Sequence, residues 1–507
     1  MTSGIHHVTA ITRDVQANVD FWMGFLGLSL VKQTAGFEDA AQLHLFYGDP
    51  AGAPGTLVSF LVWQDGAPGR VGHGRVAEIA LAVPRARIGD WLTRAMQRGL
   101  RIEGPTREWG EPVLRLKDPD GIIVKLAGAD IADTGWPAAP ARIGAVTIWS
   151  AVPEQTAAFL RPLGYRDGAT EGGLTRLVSD TDAIDIRDAS GFVSGIPGTG
   201  VIDHVALRVP DLAALQARHD ALKTRNAGEV TVHDRLYFAS LYVREPGDAL
   251  VELATDGPGM AADEEAGNLG RTLMIPPHVA DNGDLRLRLP QFARPGEERT
   301  RMRKLPFVHR LRQPDRPDGS AVVLLHGSGG NETDLMPLAH WIAPRATLLG
   351  VRGRSTEEGA PRFFRRLSMT SFDQDDIRNE ADAFAAFWKG AVAAYGLDPA
   401  RITVMGYSNG ANFAAAVMGL HPGLIRRAIL MRAMAALEDL PQADLAGVSA
   451  LTLTGARDPY GPHAPRLNEW LAAQGAALDA RVVQAGHDIV ADDLTAAAEW
   501  MQGVTNA

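Results

Sequence analysis

Ser408 lies at the centre of a Gly-x-Ser-x-Gly motif, formed by residues 406–410. The motif follows a strand-like run over 401–405 and precedes a segment with helical character. A sharp strand-to-helix turn lifts a serine hydroxyl out of a sheet and exposes it as a nucleophile. The sequence therefore predicts acyl-transfer chemistry in which Ser408 attacks a carbonyl carbon.

The partners that a nucleophilic serine needs come later in the chain. Asp458 follows a strand-like segment over 450–454, and His487 follows the next one, over 478–484. In hydrolases built on an α/β sheet the chain order is Ser, then Asp or Glu, then His, and such sites lie at the carboxyl ends of strands. We expect His487 to take the serine proton, and Asp458 to orient the imidazole and stabilise its charged form.

Backbone amides are expected to stabilise the oxyanion that forms during acyl transfer. One is the amide of Asn409, directly after the nucleophile, and the other is that of Ser328 in the glycine-rich loop 325–330. A phosphate-binding role for this loop is disfavoured, because it lacks the Lys-Ser/Thr pair of such loops.

A second set of candidate residues lies in the first half of the chain and suits a metal ion. Four segments share one plan, with a period of roughly 60–70 residues: a short alternating strand, an amphipathic helix, and strands that end in an apolar run. Aligned by their first strands, the segments carry His7, Glu78, Ala145 and His204 at one position. Their closing strands carry Ser59, Lys125, Asp185 or Ile186, and Glu252. The first and fourth segments together supply two imidazoles and a carboxylate, the ligand set of non-haem Fe(II) oxygenases.

The elements that position these residues belong to two fold classes, α/β and α+β. The four repeated segments predict βαβββ modules over about 4–64, 74–130, 142–190 and 200–256, which with a tail form a first domain over 1–292. Beyond Ala321, strands and helices alternate, which predicts a mostly parallel, doubly wound sheet in a second domain over 297–507.

Composition excludes several classes of function. The net charge of −10 argues against a nucleic-acid or anionic-membrane partner, and the absence of cysteine excludes disulfides and thiolate sites. From residues 1–8 and the lengths of the apolar runs we expect neither a secretory signal nor a segment that spans a bilayer. We expect a cytoplasmic protein, and a homo-oligomer stays open.

The repeats resemble the vicinal-oxygen-chelate superfamily, which includes glyoxalases and extradiol dioxygenases. The first region looks like its ring-cleaving dioxygenases that act on hydroquinones. The resemblance covers about residues 4–290 and includes segments 235–247 and 252–259. It implies that His7, His204 and Glu252 hold the metal.

The same resemblance implies roles for residues around the metal. Arg235 and Tyr242 would act in catalysis near the ring hydroxyls, while His6 and Thr9 would flank the metal and bind substrate. Such enzymes often have a second histidine before the last metal histidine. Here Asp203 stands at that position, which bears on substrate preference.

The region over 297–507 resembles the carboxylesterase/phospholipase-type α/β hydrolases, which need no cofactor. Segments 351–354 and 362–366 look like a subgroup linked to quinone detoxification. Their arginines suit either an anionic or oxygen-rich substrate or surface ion pairs: Arg354, Arg362, Arg365 and Arg366.

Together these features predict a bifunctional enzyme. One part would be an Fe(II)-dependent ring-cleaving dioxygenase that takes a small aromatic diol and O2, although Mn(II) accepts the same ligands. The other would be a Ser-His-Asp hydrolase that takes an ester or another acyl substrate. Two alternatives to the dioxygenase remain: a metal-dependent isomerase or lyase of the same superfamily, or a non-catalytic binding module.

Overall fold

The computed structural model describes residues 4–223, 231–280, 283–299 and 301–505. By its internal contacts the chain divides into two compact units, Met1–Asp281 with Leu289–Arg299, and Asn282–Arg288 with Thr300–Ala507. Residues 1–3, 224–230 and 281–282 of the predicted first domain lie outside the described residues. The same holds for residues 300, 506 and 507 of the predicted second domain.

The first unit contains the four predicted modules, each with four strands. The first two modules comprise β1 (Ile5–Thr12), β2 (Ser29–Ala35), β3 (Leu43–Gly48), β4 (Leu57–Val62), β5 (Arg75–Pro84), β6 (Ile102–Glu108), β7 (Glu111–Lys117) and β8 (Ile123–Ala129). The other two comprise β9 (Arg142–Ser150), β10 (Arg166–Glu171), β11 (Leu174–Val178), β12 (Ala183–Asp188), β13 (Ile202–Val209), β14 (Val232–Asp234), β15 (Phe238–Arg244) and β16 (Leu250–Pro258). A short strand, β17 (Leu273–Met274), follows in the tail.

One helix follows the first strand of each module: α1 (Val15–Val19), α2 (Ile88–Gln97), α3 (Pro153–Leu160) and α4 (Leu212–Lys223). In α2 the buried residues are Ile88, Trp91 and Ala95, a spacing that places them on one helical face. The helix of the first module is α-helical only at its start. It continues as a π-helical segment, Asp20–Phe25, in which Phe21, Trp22 and Phe25 are buried.

The modules pair as first with fourth and second with third. One sheet has the strand order β14-β15-β16-β13-β1-β4-β3-β2-β17, and the other has the order β10-β11-β12-β9-β5-β8-β7-β6. The first strands of the paired modules run antiparallel at the centre of each sheet, β1 beside β13 and β5 beside β9. His7, His204 and Glu252 therefore share one sheet although His7 and Glu252 lie at opposite ends of the four modules.

The strand register makes the four closing-strand positions equivalent. Ser59 pairs with Thr9, Lys125 with Ala80, Asp185 with Thr147, and Glu252 with Ala206. Each partner lies two residues after the first-strand position of its module. Of the two residues considered for the third module, Asp185 is thus the equivalent one.

Each central strand pair contains two β-bulges. In the pair of β1 with β13 the extra residues are His6 and Asp203, and in the pair of β5 with β9 they are Ala77 and Gly144. A bulge places two consecutive residues opposite one on the partner strand and redirects a side chain. The residue before each candidate histidine ligand is therefore the bulged one.

The second unit is built on a seven-stranded sheet. Its strands are β18 (His309–Arg312), β19 (Ala321–Leu325), β20 (Thr347–Val351), β23 (Ile402–Tyr407), β24 (Arg427–Met431), β25 (Ser449–Gly455) and β26 (Ala477–Val483), with a separate hairpin of β21 (Ser355–Glu357) and β22 (Ala360–Arg362). Its helices are α5 (Asp284–Arg288), α6 (Met336–Ile342), α7 (Gln374–Tyr395), α8 (Asn409–Leu420), α9 (Ala464–Ala473) and α10 (Ala491–Thr505).

Six strands of this sheet run parallel in the order β20-β19-β23-β24-β25-β26, and β18 adds an antiparallel edge. Alternate residues of β19 enter different cores: Val323 packs with the aromatic rings of α7 and α8, whereas Val322 packs with α6 and α10. Helices thus cover both faces, and the predicted doubly wound α/β fold is confirmed. Among the described residues, no helix combines the length and the apolar character that crossing a bilayer requires.

Candidate metal centre and candidate hydrolase site

Three of the predicted residues converge inside the first unit. Oε2 of Glu252 lies 3.0 Å from Nε2 of His7 and 2.9 Å from Nε2 of His204. One ligand atom from each residue falls within 4.8 Å of the others, and all three residues are buried. β1, β13 and β16 supply them from neighbouring positions of one sheet, which holds the side chains rigidly.

The chemistry of these atoms fits a bound cation. Among the described residues, neither carboxylate oxygen of Glu252 nor Nε2 of His204 has a hydrogen-bond partner. A buried carboxylate without partners is strongly disfavoured unless positive charge compensates it. Burial raises the pKa of Glu252, but the adjacent imidazoles of His7 and His204 outweigh it and hold the pKa well below its usual range.

The residue before each of the two candidate histidine ligands contacts Nδ1 of that histidine, the ring nitrogen that faces away from Glu252. Nδ1 of His6 lies 2.9 Å from Nδ1 of His7, and Oδ2 of Asp203 lies 2.8 Å from Nδ1 of His204. Metal-binding histidines usually donate their other N–H to such an acceptor, which fixes the tautomer. The role of His6 and Asp203 in substrate binding stays a prediction, and the contacts give both residues a way to orient a ligand.

Protonation states follow from this packing. Burial lowers the pKa of His6 to about 3, so its neutral ring can accept from His7. Burial also lowers the pKa of His204, but the hydrogen bond to Asp203 and the nearby carboxylate of Glu252 raise it to about 9. The proton that this imidazole holds in the metal-free protein must leave when a cation binds, because a ligand nitrogen needs its lone pair.

Thr9 belongs to a hydrogen-bonded chain that the sequence reasoning did not complete. Its Oγ1 lies 2.9 Å from Oγ of Ser59, which lies 3.1 Å from Nε2 of His44. Burial lowers the pKa of His44 to about 3, so the ring is neutral. The alternation of side chains along a strand could have identified His44 from the sequence. Phe46 pairs with Ser59, and His44 lies two residues before Phe46 on the same face of β3.

Tyr242 and Arg235 lie beside the candidate ligands. Tyr242 pairs with Glu252 across β15 and β16, and its ring centroid is 5.4 Å from that of His204. Burial, and then the charge of Glu252, raise the pKa of Tyr242, which keeps its phenol protonated. The guanidinium of Arg235 lies 5.7 Å from the Tyr242 ring centroid, and its Nη1 donates to Oε1 of Glu38 at 2.6 Å.

The equivalent positions of the second sheet hold ion pairs instead. Nζ of Lys125 lies 2.7 Å from Oε2 of Glu78, and Arg176 forms a bidentate pair with Asp185 at 2.7 and 2.8 Å. Lysine and arginine thus supply the positive charge that a cation would supply beside Glu252. Within the described part of the chain, His7, His204 and Glu252 form the one cluster of metal-ligand type.

In the second unit, Ser408 occupies a strained turn between β23 and α8. Its backbone angles are φ 51° and ψ −113°, a region that L-residues rarely adopt. The flanking glycines make the turn sterically feasible. A Cβ on Gly406 would lie 2.7 Å from backbone atoms of Ala411, and one on Gly410 would lie 2.2 Å from the carbonyl oxygen of Leu325.

The predicted triad residues are in hydrogen-bond contact. Nε2 of His487 lies 3.0 Å from Oγ of Ser408, and its Nδ1 lies 3.0 and 3.1 Å from the two carboxylate oxygens of Asp458. Asp458 is buried, whereas His487 is about one-third exposed. This geometry allows proton transfer from the serine to the imidazole while the carboxylate fixes the tautomer.

Both predicted oxyanion amides are available. Neither the Ser328 amide nor the Asn409 amide donates to an acceptor among the residues that the structure describes. His326 shapes the loop that carries Ser328: its Nε2 accepts from the Gly353 amide at 3.0 Å, and its Nδ1 donates to the carbonyl of Gly327 at 2.6 Å. Both amides are therefore able to donate to a developing oxyanion.

Sequence reasoning missed the ion pair that supports His487. Arg432 donates to the carbonyls of Gly486 and Asp488, which flank the histidine, at 2.9 and 2.8 Å. It also forms a bidentate pair with Asp493 at 2.8 and 2.7 Å, and both side chains are fully buried. The only sequence signal is an arginine directly after the apolar strand β24.

A cavity of about 240 Å³ opens beside the triad, and Ser328, Arg362 and Arg366 are among the residues that line it. The other two arginines of the predicted set do not line this cavity and are held in ion pairs of their own. Arg354 pairs with Glu380 at 2.8 Å, and Arg365 pairs with Asp373 at 3.1 Å.

Comparisons with known proteins find relatives of both units. The sequence profile of the Glyoxalase/Bleomycin resistance protein/Dioxygenase superfamily matches residues 4–126. MhqO of Bacillus subtilis (strain 168), named as a ring-cleaving dioxygenase, is 32% identical over 286 residues, 54% of this chain and 91% of MhqO. The chlorohydroquinone/hydroquinone 1,2-dioxygenase of Sphingobium indicum is 29% identical over 315 residues, 56% of this chain and 95% of that protein.

Other matches are hydrolases. MhqD of Bacillus subtilis (strain 168), named as a hydrolase, is 34% identical over 183 residues, 36% of this chain and 92% of MhqD. The crystal structure of a carboxylesterase from Mesorhizobium loti is 43% identical, with a TM-score of 0.39, and covers 40% of this chain and 97% of that one. Because of the matching profile and the similarity to MhqO, the chain belongs through its first unit to the Glyoxalase/Bleomycin resistance protein/Dioxygenase superfamily, and its second unit has the α/β-hydrolase fold.

Proposed function

We propose that the first unit is an Fe(II)-dependent ring-cleaving dioxygenase that acts on a hydroquinone or a related aromatic diol. The observation that carries the proposal is the convergence of His7, His204 and Glu252, with buried atoms that lack hydrogen-bond partners. The similarity to a chlorohydroquinone/hydroquinone 1,2-dioxygenase supports the substrate class. A ferrous ion held by these residues would supply the redox chemistry that brings the diol and O2 to reaction.

The surrounding residues would bind and orient the diol. The protonated phenol of Tyr242 can donate to a substrate oxygen and return a proton during ring opening. Arg235 adds positive charge on the same side, which favours the phenolate form of a diol. An apolar cluster that includes Phe46, Tyr237 and Phe238 offers aromatic faces to the ring.

Oxygen uptake tests this proposal. Protein loaded anaerobically with Fe(II) should consume O2 rapidly on addition of methylhydroquinone, after correction for autoxidation. Glu252→Ala should abolish both uptake and stoichiometric metal binding, whereas Asp248→Ala, at a 77% exposed carboxylate of the same module, should retain both. Full metal content and full uptake in Glu252→Ala would sink the ligand assignment.

We infer that the second unit hydrolyses a carboxylic ester or another acyl bond by a serine mechanism. Oγ of Ser408 would attack the carbonyl carbon while Nε2 of His487 takes its proton. The amides of Ser328 and Asn409 would stabilise the oxyanion, and His487 would then give its proton to the leaving group. Water would release the acyl group by the same steps and regenerate the serine hydroxyl.

A chromogenic ester tests the second activity. Ser408→Ala should lower kcat for a 4-nitrophenyl ester by about 10⁴-fold or more without changing the thermal unfolding temperature. Ser449→Ala, at the start of β25, is the matched control and should retain full turnover. Undiminished hydrolysis by Ser408→Ala would show that another residue is the nucleophile.

The two activities share one chain, which supports a shared reaction sequence. The ring-opened product of the first unit would then be an acyl substrate for the second, or an ester hydrolysed by the second would release the diol for the first. Product analysis with the full chain, Glu252→Ala and Ser408→Ala tests this proposal. Identical products from the full chain and from Ser408→Ala, together with no diol released from aryl esters, would refute it.

A further inference from the structure

We propose that the cavity of the second unit selects acyl substrates that carry a carboxylate, and that Arg362 binds this group. The proposal rests on the serine hydrolase function proposed above and names its substrate class. It follows from the position of Arg362, from the hydrogen bonds that its guanidinium leaves open, and from the balance of charge around it.

Arg362 ends β22 and is the buried member of the predicted arginine set. Its side chain is 5% exposed, and it lines the same cavity as Ser408 and His487. Nη1 donates to Oγ of Ser328 at 2.5 Å, which fixes the guanidinium beside the loop that carries a proposed oxyanion amide. The cation is therefore held within the substrate cavity.

The hydrogen bonds of the Arg362 guanidinium within the described residues leave some of its N–H groups unused. Nε reaches the carbonyl of Phe364 at 3.3 Å, and Nη1 reaches Ser328. Nη2 donates to no acceptor among the residues that the structure describes. A carboxylate is the ligand whose two oxygens match the fork of guanidinium donors.

The neighbouring charges do not balance. Oε1 of Glu357 accepts from Nη2 and Nε of Arg366 at 2.8 and 3.2 Å, whereas Oε2 lies 3.5 Å from Nε of Arg362 and has no hydrogen-bond partner. One carboxylate thus faces two guanidinium groups. Burial, and then the charge of Arg366, lower the pKa of Arg362, and the negative charge of a bound anion would stabilise this disfavoured cation.

The other charges that line the cavity have their own partners. Arg432 forms a bidentate pair with Asp493, and His487 is paired with Asp458. Arg354 and Arg365 pair with Glu380 and Asp373 and do not line the cavity. The surplus positive charge therefore lies at Arg362 and Arg366.

This preference would suit the proposed first activity. Ring cleavage between a hydroxylated carbon and its unsubstituted neighbour leaves a carboxylic acid on one new end and an aldehyde on the other. At neutral pH the acid is ionised. From a hydroquinone, the second hydroxyl remains as an enol, whose keto form places a ketone two carbons from the aldehyde. Ser408 would attack this ketone and the aldehyde enolate would leave, so the second unit would hydrolyse a C–C bond in a substrate that carries a carboxylate.

A matched pair of esters tests the proposal: 4-nitrophenyl hydrogen succinate, which is an anion, and its neutral methyl ester. The wild-type chain should have a higher kcat/KM for the anionic ester than for the neutral methyl ester. Arg362→Met should lower kcat/KM for the anion about 10- to 100-fold more than for the methyl ester, the range expected for a hydrogen bond to a charged group. Arg362→Lys should recover part of the preference, and Arg365→Ala, at a 62% exposed side chain, should leave it unchanged.

Equal losses on both esters in Arg362→Met, or no preference in the wild type, would overturn the proposal. Equal losses would instead show that Arg362 positions the Ser328 loop. Binding to the Ser408→Ala protein separates this question from catalysis. In calorimetry, monomethyl succinate should bind more tightly than dimethyl succinate, and Arg362→Met should remove the difference.

The binding result stands without turnover. If neither ester is hydrolysed but the binding difference depends on Arg362, carboxylate recognition holds and the serine hydrolase function fails. Equal binding of monomethyl and dimethyl succinate would overturn carboxylate recognition even if both nitrophenyl esters are hydrolysed.

Discussion

Oδ2 of Asp203 accepts a hydrogen bond from Nδ1 of His204 at 2.8 Å, and both residues belong to β13. His6 bears the same relation to His7 on β1. In both strands the residue before the candidate ligand is the bulged one. The second sheet has bulges at the same places, at Ala77 and Gly144, where neither residue carries a group that could hydrogen-bond to a histidine. The two sheets therefore share these bulges and differ in the side chains that the bulges present.

Asp203→Asn should weaken metal binding about 10- to 100-fold, because loss of a carboxylate behind a histidine ligand makes the imidazole less basic and less well oriented. Co(II) binding, followed by its absorption spectrum in competition with a chelator, measures the effect. Asp248→Asn is the control at an exposed carboxylate of the same module. An Asp203→Asn protein with wild-type affinity would show that this hydrogen bond does not support the metal centre.

Tyr242→Phe should retain the metal and lower the rate of ring cleavage about 10²- to 10⁴-fold, the usual contribution of a positioned proton donor. Burial and the charge of Glu252 raise the pKa of Tyr242, so the native phenol keeps its proton at neutral pH. Oxygen-uptake kinetics and metal analysis are the two measurements. Tyr47→Phe removes another buried phenol, one that donates to Asn18, and should leave uptake unchanged. Equal rates for Tyr242→Phe and the wild type would exclude Tyr242 as a proton donor.

Arg432 and Asp493 should affect catalysis through His487 and not through substrate binding. Asp493→Asn is expected to lower kcat for a 4-nitrophenyl ester with little change in KM, since Arg432 would hold the Gly486 and Asp488 carbonyls less firmly. Breaking a buried ion pair from one side destabilises a protein by about 3–5 kcal/mol.

The double variant Arg432→Met/Asp493→Leu separates the two effects of this pair. Removing both charges should restore much of the thermal stability but not kcat, because apolar side chains cannot hold the carbonyls that flank His487. Recovery of full kcat in the double variant would contradict the positioning role.

Asp118 should make the stability of the chain depend on pH. Burial raises the pKa of Asp118 from 3.8 to about 7, despite hydrogen bonds from the amides of Ile122 and Asp120. Between these values the folded chain holds a proton that the unfolded chain has lost, so this residue's contribution to stability falls as pH rises from about 4 to about 7.

Asp118→Asn removes that dependence and keeps an oxygen acceptor. Its thermal stability should equal that of the wild type near pH 4 and exceed it increasingly up to pH 7. At about 1.4 kcal/mol per pKa unit, the largest gain in the free energy of unfolding of Asp118→Asn over the wild type is about 4 kcal/mol. Unfolding temperatures across this range measure the effect, with Asp248→Asn as the control. A constant difference between Asp118→Asn and the wild type at all pH values would contradict a raised pKa.

The sequence predicted the candidate ligand positions because equivalent residues of a repeated module occupy equivalent places in the fold. His7 and His204 occupy the same place in two modules, and the register confirms that Glu252 and Ser59 occupy equivalent closing positions. It did not reveal which modules share a sheet. That depends on the antiparallel pairing of β1 with β13, a long-range contact that no local pattern encodes.

For the hydrolase, the motif and chain order predicted Ser408, Asp458 and His487, since each follows a strand whose carboxyl end lies at one edge of a parallel sheet. The supporting contacts could not be predicted, because an arginine has the same appearance in a sequence whether it pairs with a neighbour or faces a substrate.

The sequence by itself determined the βαβββ repeats, the α/β alternation and the residue types able to bind metal or attack an acyl carbon, because hydrophobic period and motif spacing are local properties. Tertiary structure alone decided which arginine is buried beside Ser408, that His44 joins Ser59 and Thr9, and that Asp203 contacts His204. These are matters of burial and of contacts between distant strands or at a bulge, which only the packed chain defines.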